Sequence, residues 1–315
     1  MKILVTGGTG LLGKAIEEVA NKDNSPHEFI FASSKTCDLR NYNETLMYFS
    51  LKKPDYVIHL AANVGGLFKN LEQNLTMYEE NMMINFNVLR ACHLNEIKNC
   101  LSILSTCIFP DTTTYPINET MLHNGYPHTS NSGYSFAKRM LEVHSSIYNK
   151  THGYNYKCII PTNLYGKHDN YSIENGHVIP ALIHKCFNEA NSMKVNKWVN
   201  VWGTGKPLRQ FLYVNDLAKI ILHSVDNITW QSNNNTLIVA PEEEVSILSV
   251  SSIIGHQFNL KNIKLNPDKA DGQYKKTADN SLFRCYFKDF NFTEFEVGIK
   301  ETCEYFKHNY NTIRK

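Results

Sequence analysis

The chain opens with an apolar strand pattern that runs directly into a glycine-rich turn and then into a helix pattern. Ile3–Val5 are apolar, the turn carries Gly7, Gly10 and Gly13 in a GxxGxxG spacing, and Ala15–Ala20 suits a helix. A strand, a glycine turn and a helix in this order form a phosphate cradle, because bare N–H groups at the helix start point towards an anion. The spacing alone is a weak signal, but here it lies in the context that the motif requires. The opening therefore predicts a dinucleotide-binding fold.

The first half of the chain alternates strand patterns with helix patterns. We expect strands at 28–32, 56–60, 101–105 and 157–160, and helices at 42–52, 76–94 and 135–150. Such alternation is typical of a parallel sheet with helices on both faces. The fold class predicted is therefore α/β, with a Rossmann-type doubly wound parallel sheet whose ligands bind at the carboxyl ends of the strands.

The second half has a looser pattern, which begins with a polar segment at 163–176 that we interpret as a loop. We expect helices at 178–190, 215–225, 247–257 and 294–307, and strands at 199–202, 209–214 and 236–239. Asn215 has the residue type of a helix N-cap. The sequence predicts an NADP-binding Rossmann domain over 1–165, to which the chain returns at about 210–240, and a smaller C-terminal α/β substrate domain over 166–315.

Composition excludes several classes of protein. The formal net charge is +2 with both signs interspersed, so nothing requires a nucleic-acid partner. No apolar stretch is long enough to span a bilayer, and the first residues favour a strand over a signal peptide. The eight cysteines are scattered without a CxxC pair, which predicts neither a zinc site nor a disulfide framework. We expect a cytoplasmic enzyme with no membrane partner and no metal.

The residues after the second strand bear on which dinucleotide binds. NAD-binding folds place an acidic residue there for the ribose 2′-hydroxyl. This chain has Ser34 and Lys35 instead, with Lys14 just after the glycine turn, so we expect NADP(H), whose 2′-phosphate suits hydroxyls and cations. Either lysine alone is open to the simpler interpretation of an ordinary solvated side chain. The predicted cofactor contacts on this side of the fold are Gly7, Gly8, Thr9, Gly10, Leu11, Leu12, Gly13, Lys14, Ser34, Lys35, Asp38 and Leu39.

A Tyr-x-x-x-Lys motif supplies candidate catalytic groups. Tyr134 and Lys138 are four residues apart, so on a helix they share a face. The ammonium of Lys138 would bind the nicotinamide ribose and lower the phenol pKa of Tyr134. A tyrosine so tuned passes a proton to a carbonyl oxygen as hydride arrives. Ser105, at the end of an expected strand, would hydrogen-bond the reacting oxygen.

These features resemble the extended short-chain dehydrogenase/reductases. Further segments are similar to those of the GDP-L-fucose synthase family: AANVGG (61–66), STCIFP (105–110), GYSFAKR (133–139), PTNLYG (161–166), NGHVIP (175–180) and WGTG (202–205). The resemblance runs along nearly the whole chain. It implies an NADPH-dependent enzyme that epimerises GDP-4-keto-6-deoxy-D-mannose at C3 and C5 and reduces it at C4.

The resemblance also assigns roles to particular residues. Cys107 and His177 would move the protons at C3 and C5, since both groups titrate near neutrality. Further cofactor contacts would come from Ala61, Ala62, Tyr134, Lys138, Pro161, Thr162, Asn163, Leu164 and His177. The GDP-sugar substrate would be held by Asn163, Lys185, Trp202, Arg209, Asp271 of the Asp-Gly pair 271–272, and Lys276. The family also implies a homodimer that pairs through the helices at 76–94 and 135–150.

Two alternatives remain at this stage. A nucleotide-sugar 4-epimerase or 4,6-dehydratase shares the fold, but a dehydratase follows the strand-end hydroxyl with an Asp-Glu pair, where this chain has Cys107 and Ile108. A 4-epimerase needs no Cys/His pair. The other alternative is a non-catalytic NADP-sensing protein, which would usually lose the tyrosine or the lysine that this chain retains.

Overall fold

The structure is a computed structural model, and it describes residues 1–227, 235–269, 271 and 273–315. Its strands are β1 (Lys2–Thr6), β2 (Glu28–Ala32), β3 (Tyr56–His59), β4 (Asn99–Ile103), β5 (Asn155–Pro161), β6 (Asn163–Tyr165), β7 (Val199–Trp202), β8 (Leu208–Arg209), β9 (Phe211–Tyr213), β10 (Thr236–Val239), β11 (Val245–Ser246) and β12 (Ile263–Asn266). Its α-helices are α1 (Leu11–Lys22), α2 (Tyr42–Lys52), α3 (Leu67–Glu72), α4 (Asn74–Leu94), α5 (Ser132–His152), α6 (Val178–Ala190), α7 (Val214–Asp226), α8 (Ile247–Gln257), α9 (Ser281–Tyr286) and α10 (Phe295–Asn309). Within the described ranges, no helix is both long and apolar enough to cross a bilayer.

Six strands form one parallel sheet in the order β10-β5-β4-β3-β1-β2. The chain first moves outward from β1 to β2, then crosses to the other side of β1 and continues through β3, β4 and β5. The order of strands therefore reverses between β1 and β3. In open α/β sheets a ligand crevice forms at such a reversal, outside the carboxyl ends of the strands.

Successive residues of β1 face two separate hydrophobic cores, because side chains alternate across a strand. Leu4 belongs to one core with residues of α2, α4 and α5, such as Val88. Ile3 and Val5 belong to the other, with residues of α1 and α7, such as Ile16. Helices thus cover both faces of the sheet, and the predicted doubly wound fold is confirmed.

A third core lies outside the large sheet. It is built from α6, α8 and α10 together with the short strands β7 and β9, and its fully buried residues include Ile183, Val250 and Phe306. Two-stranded pairs β6–β9, β8–β11 and β7–β12 accompany it. Strand β9 contributes to two cores, since Phe211 and Tyr213 lie in the third core and Leu212 in the second.

The sequence prediction was wrong at the start of α7. This helix begins at Val214 after the N-cap residue Tyr213, which makes no side-chain cap, so Asn215 lies inside the helix. The strand expected at 209–214 is interrupted at Gln210, whose side chain is buried. Its amide donates to the Pro241 carbonyl at 2.8 Å and accepts from the Ala278 N–H at 2.8 Å. The residues before and after Gln210 pair with different strands, β11 and β6, so the strand is divided there.

Two further differences concern segments near the crevice. Strand β4 ends at Ile103, so Ser105 lies two residues beyond it and forms the N-cap of a 3₁₀ turn at Thr106–Ile108. The segment interpreted as a loop contains β6, which pairs with β9. Strand β6 has only three residues, too few for a period of two to be distinguished from a loop by pattern alone.

Candidate active site

A cavity of about 970 Å³ opens at the carboxyl ends of the large sheet. Residues that follow β1 to β5 line one side of it, as the strand reversal predicts. The other side is lined by α6, by the end of β7, by Arg209 of β8 and by residues before α9. The cavity therefore joins the Rossmann crevice to the region of the third core.

Two positions of the glycine turn, Gly7 and Gly13, have no room for a side chain. Gly7 has φ +70°, and a Cβ there would lie 2.9 Å from the backbone nitrogen of Ala61. A Cβ at Gly13 would lie 2.6 Å from backbone atoms of Gly8. Gly10 is the N-cap of α1 and makes no side-chain cap, so this helix start faces the cavity with bare N–H groups. This arrangement suits a bound phosphate.

Buried polar atoms without partners also favour a polar ligand. In the described part of the chain, five such side-chain atoms occur, and four of their residues line the cavity: Asn70, Asn131, Thr162 and Asp169. A buried polar group without a partner costs about 1–3 kcal/mol. Three of these four atoms are carbonyl or carboxylate oxygens, which accept hydrogen bonds only. A dinucleotide with hydroxyl and amide donors therefore fits this set.

At the end of the cavity beside β2, only some of the predicted cofactor residues line the cavity. Ser34, Asp38 and Leu39 line the cavity. Gly8, Lys14 and Lys35 do not line it. Lys14 instead pairs with Glu17 on its own helix at 2.6 Å. Gly8 packs against β2, where a Cβ would lie 2.6 Å from that of Phe31.

Arg40 is a cation at this end that the sequence prediction missed. It lines the cavity and donates to Asp38 at 2.9 Å and to Glu80 at 2.7 Å. Its hydrogen bonds lower the pKa of the Asp38 carboxyl. Arg40 was missed because it lies beyond the usual position after β2, and the turn that returns it to the crevice has no sequence signature.

Four of the predicted catalytic residues lie together where β4 meets α5. Ser105, Cys107, Tyr134 and Lys138 all line the cavity. Ser105 accepts the Cys107 backbone N–H at 3.4 Å, which ties the two residues into one turn. The ammonium of Lys138 donates to the Ile103 carbonyl at 2.8 Å and so fixes α5 against the end of β4.

The pKa of Tyr134 is raised in this structure, whereas the sequence analysis expected it to be lowered. Burial raises the pKa of this phenol, and the nearby Cys107 raises it further. Burial also lowers the pKa of Lys138 to about 8, which Cys107 and Cys158 oppose. Lys138 was expected to lower the tyrosine pKa, but in this structure the cost of a buried phenolate prevails. Tyr134 is therefore protonated at neutral pH, which is the form that donates a proton.

His177 reaches the cavity from the opposite side. It is the N-cap residue of α6, and its side chain is exposed to the cavity. Asp169 lies in the same loop, lines the same cavity and is 6% exposed. Burial raises the pKa of Asp169, and interactions with His177 and Arg314 oppose that effect. Asp169 and Arg314 were not predicted, because neither belongs to a motif that the sequence analysis used.

The predicted substrate residues on α6 and β7 contact each other. The Lys185 ammonium lies 3.4 Å from the centroid of the Trp202 ring, a cation–π contact. Burial lowers the pKa of Lys185 to about 8. Both residues line the cavity, so the indole that was predicted to contact the base or sugar also holds a cation.

Three other predicted substrate residues line the same end of the cavity. The Arg209 guanidinium donates to the backbone carbonyls of Leu208 at 2.7 Å and Gln273 at 2.5 Å. Asp271 accepts from the Thr204 N–H and hydroxyl, each at 2.7 Å, so both of its oxygens are bonded. Burial lowers the pKa of Lys276. Residue 272 of the predicted Asp-Gly pair lies outside the described residues.

The remaining predicted cofactor residues are also brought to the cavity. They are Thr9, Leu11, Leu12, Ala61, Ala62, Pro161, Asn163 and Leu164. Asn163 donates to the Gln210 carbonyl at 3.2 Å, which fixes its amide at the edge of β6. The cavity therefore collects residues from the glycine turn, the strand ends and the third core.

Comparison with known proteins agrees with this geometry. The model of the NAD dependent epimerase/dehydratase family matches residues 3–240. The chain belongs to this family. It is 47% identical to a GDP-L-fucose synthase of Dictyostelium discoideum over 315 residues, which cover 99% of this chain and 97% of that protein. A probable GDP-L-fucose synthase of Drosophila melanogaster is 44% identical over 322 residues, covering 100% and 99%.

A solved structure gives the same result. The crystal structure of a GDP-L-fucose synthetase from Naegleria fowleri bound to NADP is 42% identical, with a TM-score of 0.91. The match covers 100% of this chain and 96% of that one. The resemblance found in the sequence motifs is therefore confirmed at the level of sequence and of fold.

We expect Arg40→Ala to weaken NADPH binding more than NADH binding, because Arg40 and Ser34 both line the cavity whereas Lys14 and Lys35 do not. Loss of one hydrogen bond to a charged group is worth about 1.5–3 kcal/mol, or roughly 10- to 100-fold in affinity. Dissociation constants for both nucleotides measure the effect. Lys35→Ala is the matched control, and a larger loss of NADPH affinity in that variant would restore the sequence-based assignment.

Proposed function

We propose that this protein is an NADPH-dependent 3,5-epimerase and 4-reductase that converts GDP-4-keto-6-deoxy-D-mannose to GDP-L-fucose. One observation carries the proposal. A single cavity receives the Ser105, Tyr134 and Lys138 group of a reductase and also the two further proton carriers Cys107 and His177. The relatives named as GDP-L-fucose synthases support the substrate.

The epimerase chemistry needs two proton carriers. The C3 and C5 hydrogens of the substrate are acidic because both carbons are next to the C4 carbonyl. Inversion requires that a proton leaves one face and that another arrives on the opposite face. Cys107 and His177 come from different elements, the 3₁₀ turn after β4 and the start of α6. Ser105 and Tyr134 would hold the enolate oxygen while each carbon is inverted.

The reductase chemistry needs a proton donor at the C4 oxygen. NADPH, when bound, supplies the hydride that reaches C4. Tyr134 donates its proton to the resulting alkoxide, for which its raised pKa keeps it protonated. Lys138 is fixed by the Ile103 carbonyl and is positioned to hold the nicotinamide ribose.

Positive charge at the other end of the cavity suits the diphosphate of a GDP-sugar. Arg209, Lys185 and Lys276 all line that end. The backbone carbonyls that hold the Arg209 guanidinium fix its direction before substrate arrives. A preformed cation loses less entropy on binding than a mobile one. We assign these three residues to the diphosphate and sugar, with Trp202 and Asn163 beside them.

The rival functions have less support. A 4-epimerase of the same fold needs neither Cys107 nor His177, yet both line the cavity. An NADP sensor has no need for a complete Ser105, Tyr134 and Lys138 group. We place the enzyme in the cytoplasm, because the eight cysteines are unpaired thiols, the state that a reducing compartment maintains.

We expect Tyr134→Phe to lower the rate of NADPH oxidation with the 4-keto sugar by roughly 10²–10⁴-fold, since the general acid is lost. Nucleotide affinity should remain near normal, because the glycine turn is unchanged. Stopped-flow absorbance of the reduced nicotinamide measures the rate, and fluorescence titration measures the affinity. Turnover close to that of the unaltered enzyme would remove Tyr134 from the mechanism.

We expect Cys107→Ser and His177→Asn to lose most incorporation of solvent deuterium at C3 and C5. A serine hydroxyl is far less acidic than a thiol, and an asparagine amide neither gains nor loses a proton near neutral pH. Mass spectrometry and NMR of the sugar measure the exchange, with NADP⁺ in place of NADPH to prevent reduction.

The same variants separate the two activities. Cys107→Ser retains Tyr134 and the glycine turn, so it should slowly reduce the unepimerised 4-keto sugar to a GDP-6-deoxyhexose other than GDP-fucose. Exchange at the normal rate in both variants would make Cys107 a packing residue and the protein a simple keto-sugar reductase.

We also propose a homodimer that pairs through α4 and α5. These helices leave large apolar side chains exposed, with Phe86 at 51% and Ile147 at 55%. A second copy of the chain would cover them as a four-helix bundle. Light scattering at micromolar concentration should give twice the mass of the chain. Phe86→Glu should reduce this mass to that of a single chain. A single-chain mass for the unaltered protein would contradict the dimer.

A further inference from the structure

Arg139 is a buried cation on α5, one residue after Lys138. It is 6% exposed, and its guanidinium is directed at two backbone carbonyls. Nε donates to the Ile108 carbonyl at 3.0 Å, Nη2 donates to the same oxygen, and Nη1 donates to the Gly125 carbonyl at 2.8 Å. The guanidinium also lies 5.6 Å from the ring of Phe136.

The first of these carbonyls belongs to the turn that carries Cys107. Ile108 ends the 3₁₀ turn, whose backbone is closed by its own N–H to the Ser105 carbonyl at 3.2 Å. Two N–H groups of Arg139 converge on this one residue. The guanidinium therefore fixes the position of the Cys107 turn relative to α5, the helix that also presents Tyr134.

The charge of Arg139 has no carboxylate partner among the residues that the structure describes. A buried ion without a counter-ion costs several kcal/mol, and carbonyl dipoles compensate only part of this. Burial lowers the pKa of Arg139, and the nearby Cys107 sulfur opposes that effect. Cys107 directly precedes Ile108, whose carbonyl the guanidinium contacts, so a thiolate at Cys107 would be an anion close to this charge.

Four ionisable groups interact electrostatically with Cys107, and they lie in two parts of the fold. Tyr134, Lys138 and Arg139 lie on α5, and Lys276 lies in the segment before α9. Lys138 and Lys276 also line the cavity, where we assign them to the cofactor ribose and the substrate. Arg139 does not line the cavity, so its charge stays in place whether or not a ligand is bound.

We propose that Arg139 is a positioning residue for Cys107, holding its turn in place and stabilising its thiolate. This inference rests on the proposed function for the identity of the carbon acid. The thiolate removes a proton from the carbon beside the carbonyl: the C–H bond breaks, an S–H bond forms, and the electron pair stays on the substrate as the enolate. Without Arg139, less of the cysteine is in the form that can accept the proton.

The thiolate can be measured without the substrate. Cys107 is 8% exposed but lines the cavity, so iodoacetamide would reach it from the cavity. Peptide mass spectrometry gives the alkylation rate at Cys107 as a function of pH, in a Cys285→Ser background because Cys285 is exposed. Arg139→Gln removes the charge, and it should raise the pH of half-maximal alkylation by about one unit, which is tenfold less thiolate at pH 7. Arg139→Lys keeps the charge, and it should stay within a few tenths of a unit of the unaltered protein.

A matched control removes a different half-buried cation that also lies beside a cysteine. Lys157 on β5 contacts Asn235 at 3.2 Å and lies near Cys158. Lys157→Gln should leave the Cys107 alkylation profile unchanged. An Arg139→Gln profile that coincides with that of the unaltered protein would overturn the proposal. If Arg139→Gln fails to fold, Arg139→Lys provides the test. A rise of a full pH unit in the half-maximal alkylation of Cys107 in that variant, with the charge retained, would overturn the proposal.

Deuterium exchange tests the consequence for catalysis. Arg139→Gln should lower kcat for exchange at C3 and C5 roughly tenfold, with KM for the GDP-sugar and NADPH affinity little changed. If Arg139→Gln lowers both the NADPH affinity and the melting temperature but leaves the alkylation profile of Cys107 unchanged, the role of Arg139 is merely structural. If the unaltered protein shows no exchange, the proposed function fails, while the alkylation profiles still decide the role of Arg139.

Discussion

The hydrogen bond from the Lys138 ammonium to the Ile103 carbonyl is the contact on which the site depends. It joins α5 to the last residue of β4, and every proton carrier on the reductase side lies within a few residues of one of these two ends. The bond is buried, so it is stronger than a surface contact and costly to break. Arg139 adds a second link from the same helix to the turn beyond Ser105. With these two links, α5 and the 3₁₀ turn form a single rigid part of the site.

The opposite wall of the cavity is built in another way. His177, Asp169 and Lys185 lie on a loop and a helix that belong to the third core, not to the large sheet. The two proton carriers assigned to epimerisation therefore come from different parts of the fold, one fixed to β4 and the other to α6. This separation suits a reaction that must act on both faces of one sugar ring.

Much of this could be predicted because the signals are local. Helices α2, α6 and α8 and strands β7 and β10 have the predicted bounds. The residues that were missed, Arg40, Asp169 and Arg314, reach the cavity through tertiary folding and belong to no local motif. The direction of the Tyr134 pKa could not be predicted either, because it depends on burial. Spacing alone indicated that Lys138 shares a helix face with Tyr134, but not how deeply the lysine is buried.

The assignment of three residues on one helix to the proposed site also limits how the chain can change in length. Tyr134, Lys138 and Arg139 point in directions set by about 100° of rotation per residue. A single insertion between Tyr134 and Lys138 would turn the phenol about 100° away from the lysine, even if every original residue were kept. The segment from Tyr134 to Arg139 is thus fixed in its number of residues as well as in their identity. Lengthening is better tolerated where no such rotation follows, as in the largely exposed connection between α6 and β7, which does not line the cavity.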